Sequence, residues 1–184
     1  MNNDYVWYVS YGSNVSKERF LCYIMGGQPK GANRSHAGAR DKSLPIDDKK
    51  VTIDGWERYF GSESTVWGGG IAFIRPNNKD SFTGRAYLIT KEQFRDVWIQ
   101  EISGDPENSP EEINFEEVKK VKEMDLSDSK YGRIVYLGDY NKQPLFTFTS
   151  KKEQPTNQPN KNYLNQINKG IAEVERLDKI QIER

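Results

Sequence analysis

This sequence predicts a single domain that mixes strands and helices, on three observations. Its 184 residues suit one domain. Aromatic residues make up 12% of the chain against a hydrophobic total of only 35%, and each aromatic side chain buries a large area. Segments of strand composition alternate with stretches of helical periodicity. A compact core wrapped in long polar loops is the expected result.

The first element is the most informative. Tyr5, Val6, Trp7, Tyr8, Val9 and Ser10 have the aromatic and β-branched character of a strand. The run stops at Tyr11-Gly12-Ser13-Asn14, and a helix is expected over about 16–25, with Phe20, Leu21 and Ile24 on its apolar side and Gly26-Gly27 ending it. A strand that turns sharply through a glycine into a helix start leaves backbone N–H groups pointing one way, and such groups hold anions. Residues 28–50 are polar and turn-rich, with Pro29, Gly31, Gly38 and Pro45. They read either as a functional lid or as a solvated excursion.

Strand composition recurs over 51–53, 58–61, 71–75, 82–89, 133–137 and 145–149. Gly68-Gly69-Gly70, directly before Ile71, points to a tight turn or a close backbone approach. No Gly-Lys-Ser/Thr follows, so it is not a phosphate loop. Thr90 and Gln93 form a capping box for a helix running to about Ile102, ended by Gly104-Asp105-Pro106. Ser109, Pro110, Glu111 and Glu112 look like a second helix start, with the helix reaching about Met124. Residues 151–161 are a linker by composition. A last helix over about 163–178 carries Leu164, Ile167, Ile171, Val174 and Leu177 as a docking stripe.

Composition narrows the function classes. Lys plus Arg and Asp plus Glu are both 27, and that balance argues against nucleic acid as a partner. One cysteine permits no internal disulfide, in keeping with a reducing, cytoplasmic setting. No signal peptide or membrane-spanning run is read in the sequence, so no membrane partner is expected. His36 is the only histidine, which removes support for a Ser-His-Asp triad or a two-histidine metal site; no metal is expected. A lone loop histidine is most often solvated. Cys22, beside Leu21 on the first helix, reads as packing rather than a nucleophile.

The helix after Thr90 carries the remaining chemistry. Phe94, Val97 and Trp98 form its apolar face, and Glu101 is the next position on that face. A carboxylate in a partly apolar site has its charged form disfavoured and its pKa raised, which suits proton transfer near neutral pH. A glutamate in a last turn more commonly emerges into solvent, so position alone leaves both placements open. Trp67, Trp98, Tyr131 and Tyr163 are aromatic candidates for a pocket wall or, more commonly, for core.

Taken in order, these pieces resemble the γ-glutamylcyclotransferase-like family. Tyr11-Gly12-Ser13-Asn14 looks like its N-terminal signature loop, and residues 64–72, with Trp67-Gly68-Gly69, like its Trp-Gly-Gly segment. Residues 84–90 resemble the strand leading into its catalytic helix, and Glu101, about seventeen residues after Gly84, falls at its acid/base glutamate. Pro159 to Tyr163 resembles its Pro-x-x-x-Tyr segment. The ordered set favours the inward placement of Glu101.

The resemblance implies an α+β fold, a small mixed β-barrel with short helices, built as one domain over residues 1–184. It implies release of 5-oxoproline from a γ-glutamyl amine or amino acid, with no cofactor, because the attack of the α-amine on the γ-carbonyl is intramolecular. Glu101 would move the proton. Gly12, Ser13 and Asn14 would hold the α-carboxylate or polarise the carbonyl. Tyr11 would wall the cavity, Tyr163 would bond substrate or orient Glu101, and Tyr131 would take the place of a family tyrosine. Two departures stand out: the 28–50 segment with Arg34, His36, Arg40 and Asp41, and a charged insertion over 104–130. The alternatives are a non-catalytic module on the same fold that binds a small carboxylate or a protein, and a related enzyme that removes a γ-glutamyl group from an amine borne by a larger molecule.

Overall fold

A computed structural model of the chain describes residues 4–183 apart from 33 and 103. Its elements are β1 (Tyr5–Ser10), α1 (Lys17–Met25), β2 (Asp47–Gly61), β3 (Ile71–Thr90), α2 (Lys91–Glu101), α3 (Phe115–Val121), β4 (Glu123–Asp125), β5 (Arg133–Tyr140), β6 (Gln143–Thr149) and α4 (Lys161–Val174), with a 3-10 turn at Ser13–Val15. The six strands form one mixed sheet in the order β2-β3-β1-β6-β5-β4. The α+β class holds. The sheet stays open, with β2 and β4 at its edges, so "barrel" describes it only loosely.

Central β1 pairs antiparallel with β3 and parallel with β6. Side chains alternate across a strand, and both faces of β1 are covered. Val6 and Tyr8 join Tyr87, Ile89, Phe146 and Phe148 under Phe20 and Ile24 of α1 and Phe94, Val97 and Trp98 of α2. Trp7, Val9 and Tyr11 join Ala86 and Leu145 under Tyr163 and Ile167 of α4. The capping box of α2 forms as expected: Thr90 Oγ1 accepts from Gln93 N–H at 3.0 Å, and Gln93 Oε1 accepts from Thr90 N–H at 3.1 Å.

Several expected elements differ, each for a physical reason. Segments 51–53 and 58–61 fuse into β2, because the pairing continues past a register shift between Asp54 and Trp56, where Gly55, at φ +83°, lies opposite residues 77–80 and the bulge is carried by β3. Segments 71–75 and 82–89 likewise fuse into β3. The Ser109 cap is not used. Arg95 donates to the carbonyls of Pro106, Ser109 and Glu111, which holds that stretch outside a helix, and α3 begins later with Asn114 capping Glu117 N–H. Residues 151–161 are no free linker: Gly70 N–H donates to Gln158 O at 2.8 Å, and Ser62 N–H to Pro155 O at 2.8 Å. A Cβ on Gly70 would lie 2.2 Å from Asn157 O, so the glycine run serves both a turn and a close approach.

The segment after α1 is anchored on α2. Arg40 grips the fully buried Asp96 through its backbone N–H and guanidinium at 2.9–3.2 Å, and Gly38 N–H donates to Gln100 Oε1. On the opposite face α4 docks on the 3-10 turn through Gly170, where a Cβ would lie 2.3 Å from Ser16 N and 2.4 Å from Val15 C. In an open helix interior Gly→Ala stabilises by about 1 kcal/mol. Here Gly170→Ala is expected to destabilise, by roughly 1–3 kcal/mol. Denaturant midpoints measure it, and a gain in stability would show that the helix does not press on the turn.

Candidate active site

The site follows from β1 and the chain that returns beside it. Ser10 faces Arg85 and Tyr5 faces Thr90, so β3 runs from the end of β1 back to its start. There Lys91 N–H donates to Asp4 O at 2.7 Å and α2 begins. Six strand steps from Gly84 cover about 20 Å, and the eleven residues of α2 return about 16 Å. Glu101, in the last turn, is thereby brought back to the Gly12–Asn14 turn at the end of β1. The contact is direct: Asn14 Nδ2 donates to Glu101 Oε1 at 3.4 Å and to the Tyr8 hydroxyl at 3.3 Å.

A cavity of about 460 Å³ opens at this junction, within the range of small-molecule sites. Tyr11, Gly12, Ser13, Asn14, Glu101, Tyr131 and Tyr163 all line it. The structure thus brings together the seven residues to which the family resemblance gives a place in the site. Tyr11 donates to Phe148 O at 2.7 Å and walls one side. Tyr163 accepts from Ala72 N–H at 3.0 Å and sits against Gly12, where a Cβ would be 3.0 Å from its hydroxyl. Burial pushes the Tyr163 hydroxyl up to about 12. Tyr131 comes from the segment after α3, donates to Ala72 O at 2.9 Å and stacks on Phe73. Trp98 lies behind the wall, fully buried, with its indole N–H on Tyr131 O at 2.9 Å.

Glu101 is half-buried and lines the cavity. Desolvation raises its pKa. The Tyr23 hydroxyl, the Arg19 charge, the Asn14 amide and the Arg34 charge each pull it down by less. Asn14 donates to Glu101 and the Tyr23 hydroxyl favours its charged form, so these two, rather than Tyr163, set its surroundings.

Sequence reasoning missed Tyr8, Arg19, Tyr23, Arg34 and His36, all of which line the cavity. Arg19 and Tyr23 are four apart on α1 and therefore share a face; that spacing is the signal that would have found them. His36 is not simply solvated. It is half-buried, its ring packs on Tyr23 at 4.0 Å, and its Nε2 meets Arg19 Nη1 at 2.8 Å. Burial, then the charges of Arg19 and Arg34, push it down to about 3, so the imidazole stays neutral. Burial pushes the Cys22 thiol up, which leaves it unactivated. Among the described residues no group of three or more His, Cys, Asp or Glu side chains could hold a metal ion, and no helix is long and apolar enough to cross a membrane.

No protein-family model matches the chain. Histone deacetylase 5 of Arabidopsis thaliana is similar to it, 37% identical over 201 aligned residues that cover 97% of this chain. The chain spans 30% of the length of that relative. Among solved structures it is similar to a gamma-glutamyl cyclotransferase, at TM-score 0.58 and 15% identity, over 94% of this chain and 82% of that one. An uncharacterized protein, loc79017 from Homo sapiens, superposes at TM-score 0.54 and 16% identity, over 98% and 92% of the two chains. YkqA from Bacillus subtilis superposes at 0.51 and 12%, over 95% of this chain and 56% of that one. The chain therefore has the γ-glutamylcyclotransferase-like fold.

A stability consequence follows from Glu101 alone. A carboxyl whose folded pKa is raised holds its proton better folded than unfolded, so its contribution is fully present below the ordinary carboxylate range and is lost as pH rises through the folded value. Glu101→Gln removes that loss. Its melting temperature is expected to match or exceed the parent's near neutral pH, with the gap closing towards pH about 4, the unfolded carboxylate range. A variant less stable at neutral pH than at acid pH, relative to the parent, would contradict the raised pKa.

Proposed function

We propose that this cavity closes a γ-glutamyl group onto itself and releases 5-oxoproline, with Glu101 as the acid/base residue. The observation that carries the reading is the carboxylate of Glu101, held by Asn14 and Tyr23 against the Gly12–Asn14 turn in a cavity of ligand size.

The proposed step balances without water or cofactor. The neutral α-amine attacks the γ-carbonyl carbon, and a new C–N bond forms. Glu101 accepts the proton lost by the amine. The Gly12–Asn14 turn faces the developing oxyanion with first-turn N–H groups. Collapse breaks the original γ-carbon–nitrogen bond, and Glu101 returns the proton to the departing nitrogen. The products are 5-oxoproline and a free amine. Tyr11, Tyr131 and Tyr163 wall the cavity and hold the chain of the glutamyl group folded, so that proximity lowers the barrier. A purely binding module on this fold would gain nothing from a partly desolvated carboxylate beside the turn, which is why the catalytic reading is preferred.

Glu101→Gln is expected to lower 5-oxoproline release from γ-glutamyl amines and amino acids by roughly 100- to 10,000-fold. Full activity in a folded Gln variant would end this reading. A second variant tests the electrostatics. The Tyr23 hydroxyl favours the charged form of Glu101, so Tyr23→Phe raises that pKa. The acid limb of the kcat/KM profile, which reports the base in the free enzyme, is expected to move to higher pH. An unmoved or lowered limb would assign the base elsewhere.

A further inference from the structure

We infer that Arg19, steadied by His36, reads a carboxylate in this cavity, and that the carboxylate it takes is the α-carboxylate of the glutamyl head. The identity of the head rests on the cyclising reading above; the carboxylate site rests on geometry alone.

Arg19 is only 5% exposed, yet it lines the cavity. Among the described residues no carboxylate forms an ion pair with it, although its charge reaches Glu101 across the cavity. Nη1 meets His36 Nε2 at 2.8 Å, and Nη2 donates to the Tyr23 hydroxyl at 3.3 Å. The guanidinium lies over the rings of Tyr23 and Trp67 at 4.9 and 5.8 Å. Its buried Nε has no hydrogen-bond partner among the described residues. His36 stays neutral, so it accepts from the guanidinium without supplying a counter-charge. Among the described residues the other buried arginines behave differently: Arg85 reaches Glu173 at 3.0 Å and Asp48 at 3.6 Å, and Arg95 pairs with Asp96 at 2.8 Å. A buried cation without an anion is costly. One that faces a cavity is ready for an anion brought by a ligand, and guanidinium matches the carboxylate fork.

Position selects which carboxylate. Arg19 donates to the Tyr23 hydroxyl at 3.3 Å, and Arg19, Tyr23 and Glu101 all line the same cavity, so the cation and the carboxylate of Glu101 face one ligand. An α-amino acid head carries its carboxylate and its amine on a single carbon. With the carboxylate on Arg19, the amine falls beside Glu101. Asn14 Oδ1, buried and without a hydrogen-bond partner among the described residues, is the acceptor for the second amine proton. The Gly12–Asn14 turn is then free for the reacting carbonyl. A carboxylate on the leaving group would lie further out, towards Arg34 and Lys130 of the cavity rim.

The test measures kcat/KM for the parent, Arg19→Gln and Arg19→Lys on three substrates. These are a γ-glutamyl amine with a free α-carboxylate, its α-carboxamide, and a γ-glutamyl amino acid. Arg19→Gln is expected to lose roughly 10- to 100-fold on the free α-carboxylate, with the α-carboxamide nearly unchanged and Lys recovering part of the loss. Equal losses on carboxylate and carboxamide would make Arg19 structural and overturn the assignment. A loss confined to the γ-glutamyl amino acid would move Arg19 to the leaving group and equally overturn it. Calorimetric binding of 5-oxoproline against 2-pyrrolidinone, the same ring without a carboxylate, needs no turnover. A preference for 5-oxoproline that Arg19→Gln abolishes supports the site, even if the parent releases no 5-oxoproline and the cyclising reading fails. No preference in the parent overturns the site.

Discussion

The rest of the structure depends on the burial of both faces of β1. A strand covered on one side has freedom at its ends. β1 has none, because Val6 and Tyr8 are locked under α1 and α2 while Trp7, Val9 and Tyr11 are locked under α4. Its C-terminal end therefore delivers the Gly12–Asn14 turn to a fixed place in the middle of the sheet. β3 must run antiparallel beside it, and the helix that follows β3 must come back over the same face. The spacing from Gly84 to Glu101 expresses that path of one strand out and one helix back. A change in the length of either limb would carry Glu101 past the turn or leave it short.

The charged groups around this frame divide into two kinds. Asp96 is fully buried and answered by both Arg95 and Arg40. That cluster is structural: it fastens the 38–43 segment to α2, and with it the side of the cavity that carries Arg34 and His36. Removing one partner would leave a buried charge uncompensated. Arg19 and Glu101 belong to the other kind. Among the described residues they form no ion pair, and both line the cavity. The first cluster is what lets the second stay unpaired, since the wall around it is tied down elsewhere.

Much of this was readable from local chemistry. The end of β1 and the Thr90–Gln93 capping box are short-range patterns that form where their residues indicate; the Leu164–Leu177 stripe docks as α4 only as far as Val174, and Leu177 lies beyond the helix. Glu101 was legible as a position on a face, and the ordered resemblance supplied its direction. The remainder depended on groups distant in sequence. Segments 51–53 and 58–61 read as separate strands, as do 71–75 and 82–89, but their pairing across a bulge at 77–80 joins each pair into one long strand. Ser109-Pro110 reads as a helix start, but Arg95, fourteen residues earlier, takes the Ser109 carbonyl. Residues 151–161 have the composition of a linker, yet the glycines at 61, 69 and 70 give them a backbone groove to pack in. Arg19 and Tyr23 passed as an ordinary helix face, because nothing in α1 alone shows that a cavity lies beside it.

The placement of Glu101 is what the proposed proton-transfer role calls for. A helix C-terminus carries partial negative charge and favours cations in its last turn. α2 has no basic residue there and ends on a carboxylate. That carboxylate is also desolvated, a second unfavourable term. Asn14, Tyr23 and Arg19 offset part of both without neutralising the group. A helix selected for stability alone would end on Lys or Arg, or turn the glutamate out to water. Three elements instead converge to hold it inward: the turn after β1 through Asn14, α1 through Arg19 and Tyr23, and the anchored loop through His36, which steadies Arg19. Such an arrangement concentrates unfavourable electrostatics at one point and surrounds it with open volume, which is how proteins build proton-transfer sites.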